Sequence, residues 1–166
     1  MEIRLYALLV TVTTVAIQAQ VLNGDQRFPV LNQIQWGMSK ENVLDLCAAN
    51  NIKPGGNDST ITFDADFFET PAKAVVRFRD NAKKLQWLEV KFKEHPKHLL
   101  DTLVSHFTRT LGGEPARTEK EKSALLFTLR MEVAMWKTAK ESVTLLVAKQ
   151  NDSIFDVCLT IRPMTR

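Results

Sequence analysis

The strongest constraint on the fold is a pattern that occurs twice, in which an amphipathic helical segment is followed by stretches of alternating apolar residues. The first helical segment runs from Ser39, a residue type that caps helices, to about Asn50. The second opens at Pro96 and ends at Gly112-Gly113, because proline is favoured at a helix start and glycine just past its end. Each helical segment is followed by three stretches in which every second residue is apolar, which is the period of a half-buried strand.

We therefore predict an α+β fold in which two helix–three-strand units form an antiparallel sheet with the helices on one face. The single domain covers residues 20–166, with half-units at about 33–94 and 95–163. The stretch 124–137 also contains residue types that suit a helix, but its sustained alternation favours a strand. The residues expected to face the core are Ile61, Phe63, Ala74, Val76, Phe78, Leu88, Val90, Phe92, Leu125, Phe127, Leu129, Met131, Val133, Met135, Val143, Leu145, Val147, Phe155, Val157, Leu159 and Ile161.

The N-terminal residues have the layout of a secretory signal peptide. Arg4 supplies a positive charge, an uncharged and mostly apolar stretch follows, and small residues end it. We predict a signal peptide at residues 1–19, cleaved after Ala19 or alternatively after Ala16, and hence a periplasmic or secreted protein. The alternative is that these residues form a buried first strand or helix.

The two cysteines, Cys47 and Cys158, would meet an oxidising compartment if the chain is exported. An even number of cysteines there invites a disulfide. However, Cys47 lies on the inward face of its helix, whereas Cys158 has the parity of the opposite sheet face. Because the sheet would separate the two thiols, we expect them to stay unbridged.

No cluster of residues predicts a catalytic centre, a metal site or a cofactor. The candidates are His95, His98, His106, Asp58, Asp64, Asp66 and Glu69. His98 and Asp101 lie one helical turn apart, as two metal ligands could, yet both belong to the solvent face of an amphipathic helix. The acidic residues lack the glycine and the terminal glutamate of a calcium loop. We expect no catalytic residue, no metal and no cofactor, and we favour a non-enzymatic role.

The sheet face that points away from the predicted helices is the candidate binding surface. In the first half it is basic with one aromatic residue, and in the second half it is unusually apolar for a free face. The basic half contains Lys73, Val75, Arg77, Arg79, Trp87, Glu89, Lys91 and Lys93; the apolar half contains Ala134, Trp136, Leu146, Ala148 and Cys158. We predict that Trp87, Arg77, Arg79, Lys91, Trp136 and Leu146 bind a partner. The alternative is an ordinary solvated face.

The sequence Trp36-Gly37-Met38-Ser39, followed by Glu41, Val43 and a run of hairpins, resembles a group of small exported bacterial proteins. These proteins share the fold of the β-lactamase inhibitor protein and of the SmpA/BamE outer-membrane assembly lipoprotein. The resemblance implies a short helix that starts at Gly-x-Ser and packs on a small antiparallel sheet, sometimes in tandem. It also implies a partner-binding role in or outside the cell envelope. The chain lacks the lipid-anchor cysteine of the lipoprotein.

These observations predict an exported, non-enzymatic binding or inhibitor-like module that recognises a protein partner in the cell envelope or a second copy of itself. The formal net charge of +3 is too mild to indicate nucleic acid as a partner. A membrane is expected to matter only during export. Two alternatives stay open: a binder of an anionic surface polymer through the basic sheet face, and a small envelope enzyme of unknown chemistry.

Overall fold

The computed structural model describes residues 30–79, 84–124 and 127–164. The predicted signal peptide, residues 1–19, and Leu125 lie outside the described residues. The described chain has an α+β fold with one eight-stranded antiparallel sheet in the order β1-β2-β3-β4-β8-β7-β6-β5. The elements are α1 (Lys40–Ala49), β1 (Gly55–Asn57), β2 (Thr60–Phe67), β3 (Thr70–Arg79), β4 (Lys84–Phe92), α2 (Lys97–Leu111), β5 (Ala116–Ala124), β6 (Phe127–Lys137), β7 (Glu141–Gln150) and β8 (Ser153–Pro163).

The prediction of two helix–three-strand units is wrong, because each helix is followed by four strands and all of them belong to one sheet. The two strands that the sequence did not reveal, β1 and β5, form the edges of this sheet. Strand β1 is short and begins with Gly55-Gly56, and β5 is exposed from Ala116 to Ser123. An edge strand with no buried face has no need of alternating apolar residues, so the pattern gave no sign of either strand.

The hydrophobic core lies on one side of the sheet, which we call the inner face. One buried cluster joins the inward rows of six strands to residues of both helices. From α1 it includes Val43 and Cys47, and from α2 it includes Leu99, Leu103 and Phe107. Removing this apolar surface from water stabilises the fold at about 25 cal/mol per Å². Because the cluster contains residues of both halves, we expect the halves to unfold together.

The start of α1 is fixed as the sequence predicted. The Ser39 hydroxyl accepts a hydrogen bond from the backbone N–H of Asn42 at 3.2 Å, which satisfies one of the free donors at the helix start. Just before the helix, Gly37 has φ of 88°, a conformation that glycine adopts without strain. The turn directs Trp36 towards β7, where its indole N–H donates to the carboxylate of buried Glu141 at 3.3 Å.

The predicted orientation of β6 is wrong. We expected Met131, Val133 and Met135 to face the core, but these residues lie on the side of the sheet away from the helices. The opposite row points inward, and Trp136 is only 3% exposed. Its ring packs at 5.6 Å from that of Phe107 on α2. A large aromatic side chain under α2 therefore determines which side of this strand is buried.

Candidate functional site

The side of the sheet away from the helices, which we call the outer face, carries the surface that the sequence singled out. In the described part of the chain both helices place their buried residues in the core on the inner face. The outer face has two regions. The basic patch consists of Arg77, Arg79, Trp87, Lys91 and Arg162, and the apolar patch consists of Phe127, Leu129, Met131, Val133, Met135 and Leu146.

The basic patch is organised around Trp87 on β4. The guanidinium groups of Arg77 and Arg162 lie 5.5 Å and 5.1 Å from the centre of its ring, within the range of cation–π attraction. Arg77 comes from β3 and Arg162 from β8, so three strands meet at this ring. Arg162 was not predicted from the sequence. It follows Ile161, the last apolar residue of β8, and the sequence gives no sign that β8 pairs with β4, the strand of Trp87.

Part of the positive charge of the basic patch is balanced within the sheet. Glu89 lies between Arg77, at 3.8 Å, and Lys91, at 3.2 Å. The hydrogen bond and the negative charge of Glu89 raise the pKa of Lys91. Farther along, Lys93 pairs with Asp64 at 2.9 Å and its hydrogen bond lowers the pKa of that carboxyl group. Arg79, Lys91 and Arg162 are the exposed cations of the patch, whereas Arg77 is half-buried.

The apolar patch comes from the row of β6 that we had assigned to the core. Phe127 and Met131 are 43% and 37% exposed, and the other members are half-buried against their strand neighbours. Leu146 on β7 lies between Val133 and Cys158 in register. It therefore links the apolar patch to the middle of the sheet, next to Lys91, which pairs with Cys158.

Five of the six predicted partner-binding residues lie on the outer face, and one does not. Trp87, Arg77, Arg79, Lys91 and Leu146 belong to it. Trp136 was placed there wrongly: it is buried on the inner face, where its indole N–H donates to the Thr108 hydroxyl at 3.4 Å. Ala134 is buried on the same side. Both sides of β6 contain apolar residues, so the sequence alone does not show which side is buried. The side that contacts α2 is the buried one.

Both cysteines are free thiols on opposite sides of the sheet. Cys47 is fully buried in the core, and burial raises its pKa. Cys158 is half-buried on the outer face, and burial together with the charge of Glu89 raises its pKa to about 11. A thiol with such a pKa is a poor nucleophile at neutral pH.

His98 and His106 belong to α2 on the inner side of the sheet, whereas Asp64 lies on the outer side. His98 is exposed on α2, whereas His106 packs edge-on between Phe68 and Phe107, with ring centres 4.8 Å and 5.1 Å away. Asp64 lies across the sheet from these helix residues, on the outer face of β2. Across the described ranges, no group of three or more His, Cys, Asp or Glu residues is placed to hold a metal ion.

A groove on the inner face was not foreseen from the sequence. It has a volume of about 430 Å³ and lies between the flank of α2 and the strands β5, β6 and β7. Its apolar lining includes Leu100, Val104, Ala134, Leu145 and Val147, and its polar rim includes Asp101, Arg117, Glu119 and Glu132. It exists because β5 adds a strand beyond the region that α2 covers. The alternating charge of Glu119-Lys120-Glu121-Lys122 was the signal that a two-sided, solvent-exposed strand lies here.

Comparisons with known protein families, curated proteins and solved structures gave no match to this chain. The resemblance to the exported bacterial inhibitor and lipoprotein fold therefore stays a prediction. Among the described residues, neither helix is long and apolar enough to cross a membrane.

Proposed function

We propose that this protein is an exported, non-enzymatic binding module that recognises a protein partner through the outer face of its sheet. The observation that carries this proposal is the apolar patch, where Phe127 and Met131 are 43% and 37% exposed on the same side of the sheet as the tryptophan–arginine cluster. Export rests on the predicted signal peptide at residues 1–19.

The composition of the outer face favours a protein over other partners. Aromatic residues, methionine and arginine are enriched in protein interfaces, and contiguous exposed apolar side chains mark binding surfaces. The apolar patch supplies Met131 and Met135, and the basic patch supplies Trp87 between two arginines. We expect the partner to present an apolar centre with acidic residues at one side, where Arg79 and Arg162 are exposed.

An anionic polymer fits this surface less well. Such a ligand needs several free cations along its path, and its binding weakens steeply with salt. On this face, Glu89 offsets one of the two positive charges of Arg77 and Lys91, and Asp64 offsets that of Lys93. The apolar patch would also have no role in binding a polymer of charged units. The polymer is therefore an outcome of the test and not the proposal.

The test compares two lysine substitutions at equally exposed apolar residues. Met131→Lys places a charge in the apolar patch, and Leu44→Lys places one on α1, where the side chain is 36% exposed. Immobilised chain spanning residues 20–166 is incubated with envelope extract from its source, and bound proteins are quantified by mass spectrometry. We expect a protein that is retained by the original chain and by Leu44→Lys and is lost by at least about tenfold with Met131→Lys.

Two results would contradict the proposal. One is a partner that binds Met131→Lys as well as Leu44→Lys, because the outer face would then be uninvolved. The other is retention only of polymer, removed from all three proteins by high ionic strength. Thermal unfolding of the three proteins checks that the substitutions leave the fold intact.

A further inference from the structure

The edge of the sheet at β5 is a second candidate binding surface, which adjoins the outer face. Within the described residues β5 pairs with β6 alone, so its other side presents backbone donors and acceptors to solvent. The strand has nine residues, and those from Ala116 to Ser123 are exposed. This length is enough to pair with an extended peptide, which is how several binding modules recognise their partners.

The charges of β5 are sorted by side. In register with β6, Lys120 lies opposite Met131 and Lys122 opposite Leu129, so both lysines belong to the outer face. On the inner face, Glu119 lies opposite Glu132 and Glu121 opposite Arg130. The edge therefore has a basic outer row, and its inner row begins with Arg117, opposite Ala134, and continues with the two acidic residues Glu119 and Glu121.

The inner row is held in place by its neighbours. Arg130 contacts Glu119 at 2.9 Å and Glu121 at 3.1 Å, and it also reaches Asp152 at 3.4 Å. Glu119 and Glu121 are thus both paired with Arg130, which offsets part of the negative charge of the inner row. Next to this row, Arg117 and Glu119 form part of the rim of the 430 Å³ groove.

This pattern disfavours a second copy of the chain as the occupant. When two identical edge strands pair antiparallel about a two-fold axis, outer side chains meet outer side chains and inner meet inner. In the register that pairs the full length of β5, with Lys120 at the two-fold axis, Lys120 would lie against its own copy and Glu119 against Glu121, which is destabilising across a strand pair. The same pattern attracts a different strand whose outer side chains are acidic and whose inner side chains are basic.

We propose that β5 binds an extended segment of a partner protein by strand addition, and that it selects a segment with alternating acidic and basic residues. The acidic side chains of the segment pair with Lys120 and Lys122 on the outer face. The basic side chains lie against Glu119 and Glu121, and an apolar side chain at the end near Arg117 enters the groove beside α2. Backbone hydrogen bonds provide affinity and the charge pattern provides selectivity.

The test uses two synthetic peptides of the length of β5. The first alternates glutamate and lysine and has a leucine at one end; the second has the same composition, but its acidic and basic residues come in pairs, so each side carries both signs. Binding is followed by the NMR signals and amide exchange of residues 116–123 in the folded chain. We expect the alternating peptide to shift and protect these amides and the paired peptide to bind roughly tenfold more weakly.

A charge-reversal variant sharpens the result. Lys120→Glu combined with Lys122→Glu replaces two attractive pairs by repulsive ones, so affinity for the alternating peptide should fall roughly tenfold. Affinity for the paired peptide should change little, and α1 amides serve as the internal reference for an intact fold. Equal affinity of the two peptides, perturbation of β1 instead of β5, absence of any response, or dimerisation through β5 would each overturn the proposal. The proposed outer-face function does not enter this test, since neither peptide covers the apolar patch.

Discussion

Trp136 on β6 packs against Phe107 on α2 with ring centres 5.6 Å apart and a tilt of 51°. This contact couples the second helix to a strand next to the edge of the sheet. It also places the neighbouring residues of β6, which alternate with Trp136, on the outer face. One inner contact thus creates the exposed apolar patch on the other side of the same strand.

Replacing Trp136 by alanine should destabilise the protein by about 3–5 kcal/mol, because a large side chain that is 3% exposed leaves a cavity beneath α2. Met131→Ala, on the same strand but 37% exposed, should cost about 1 kcal/mol or less. Urea unfolding followed by circular dichroism measures both values. Similar losses for the two variants would contradict the assignment of inner and outer sides.

Trp136 and Met131 show which features of β6 could be predicted from the sequence and which could not. Both rows of β6 are apolar at several positions, with Leu129, Met131 and Val133 on one and Ala134 and Trp136 on the other. Alternation revealed that the segment is a strand, but the buried row depends on where α2 lies, and that is a long-range relationship. The longer apolar row was chosen, and it is the outer one.

The edges of the sheet mark the second limit of sequence-based prediction. The six interior strands have a buried side and therefore a visible apolar period, as in Val143, Leu145 and Val147. Helix ends were equally visible, since Ser39 and Gly112 carry local signals. The edge strands β1 and β5 are specified by pairing with a neighbour and not by burial. Because β1 and β5 were not predicted, the expected number of strands after each helix was three, whereas the structure has four.

Gly112 gives a local test of the helix-end assignment. It follows α2 with φ of 78° and its backbone N–H bonds to the carbonyl of Thr108. Gly112→Ala should destabilise the protein by about 1 kcal/mol, because an alanine is strained in this left-handed conformation although no atom lies within 4 Å of its Cβ. Gly113→Ala is the matched control, since its Cβ is equally free of contacts and its φ is not positive. Thermal unfolding should separate the two variants, and equal melting temperatures would refute this account of the helix end.

Export can be tested independently of the fold. Expression of the full chain with its own N-terminus in a bacterium should yield a processed protein outside the cytoplasm, starting at Gln20 or, with the alternative site, at Ile17. Intact-mass measurement of the fractionated protein identifies the new N-terminus. Arg4→Glu should slow processing, because the positive charge at the start of the signal is removed. An unprocessed chain confined to the cytoplasm would refute export and, with it, the proposed location of the partner.

The reactivity of the Cys158 thiol on the outer face should depend on pH. Its pKa is raised to about 11 by burial and by the negative charge of Glu89, so little thiolate forms near neutral pH. Alkylation by iodoacetamide in the folded protein should be roughly tenfold slower than in the unfolded chain, because a pKa of about 11 instead of 9.0 lowers the thiolate fraction about a hundredfold and the greater intrinsic nucleophilicity of the thiolate recovers about tenfold of this loss. The rate should rise steeply as the pH approaches about 11.

Two substitutions should move the rate of Cys158 alkylation in opposite directions. Glu89→Gln removes a charge that raises the pKa of the thiol and should speed alkylation, whereas Lys91→Met removes a charge that lowers the pKa and should slow it. The same shift affects stability: a thiol with a raised pKa in the folded state stabilises the protein fully below the ordinary pKa of 9.0. That contribution is lost as the pH rises from 9.0 to about 11, because the unfolded chain ionises first. Peptide mass spectrometry quantifies alkylation at Cys158, and faster alkylation in the folded than in the unfolded protein at neutral pH would contradict the burial that raises this pKa.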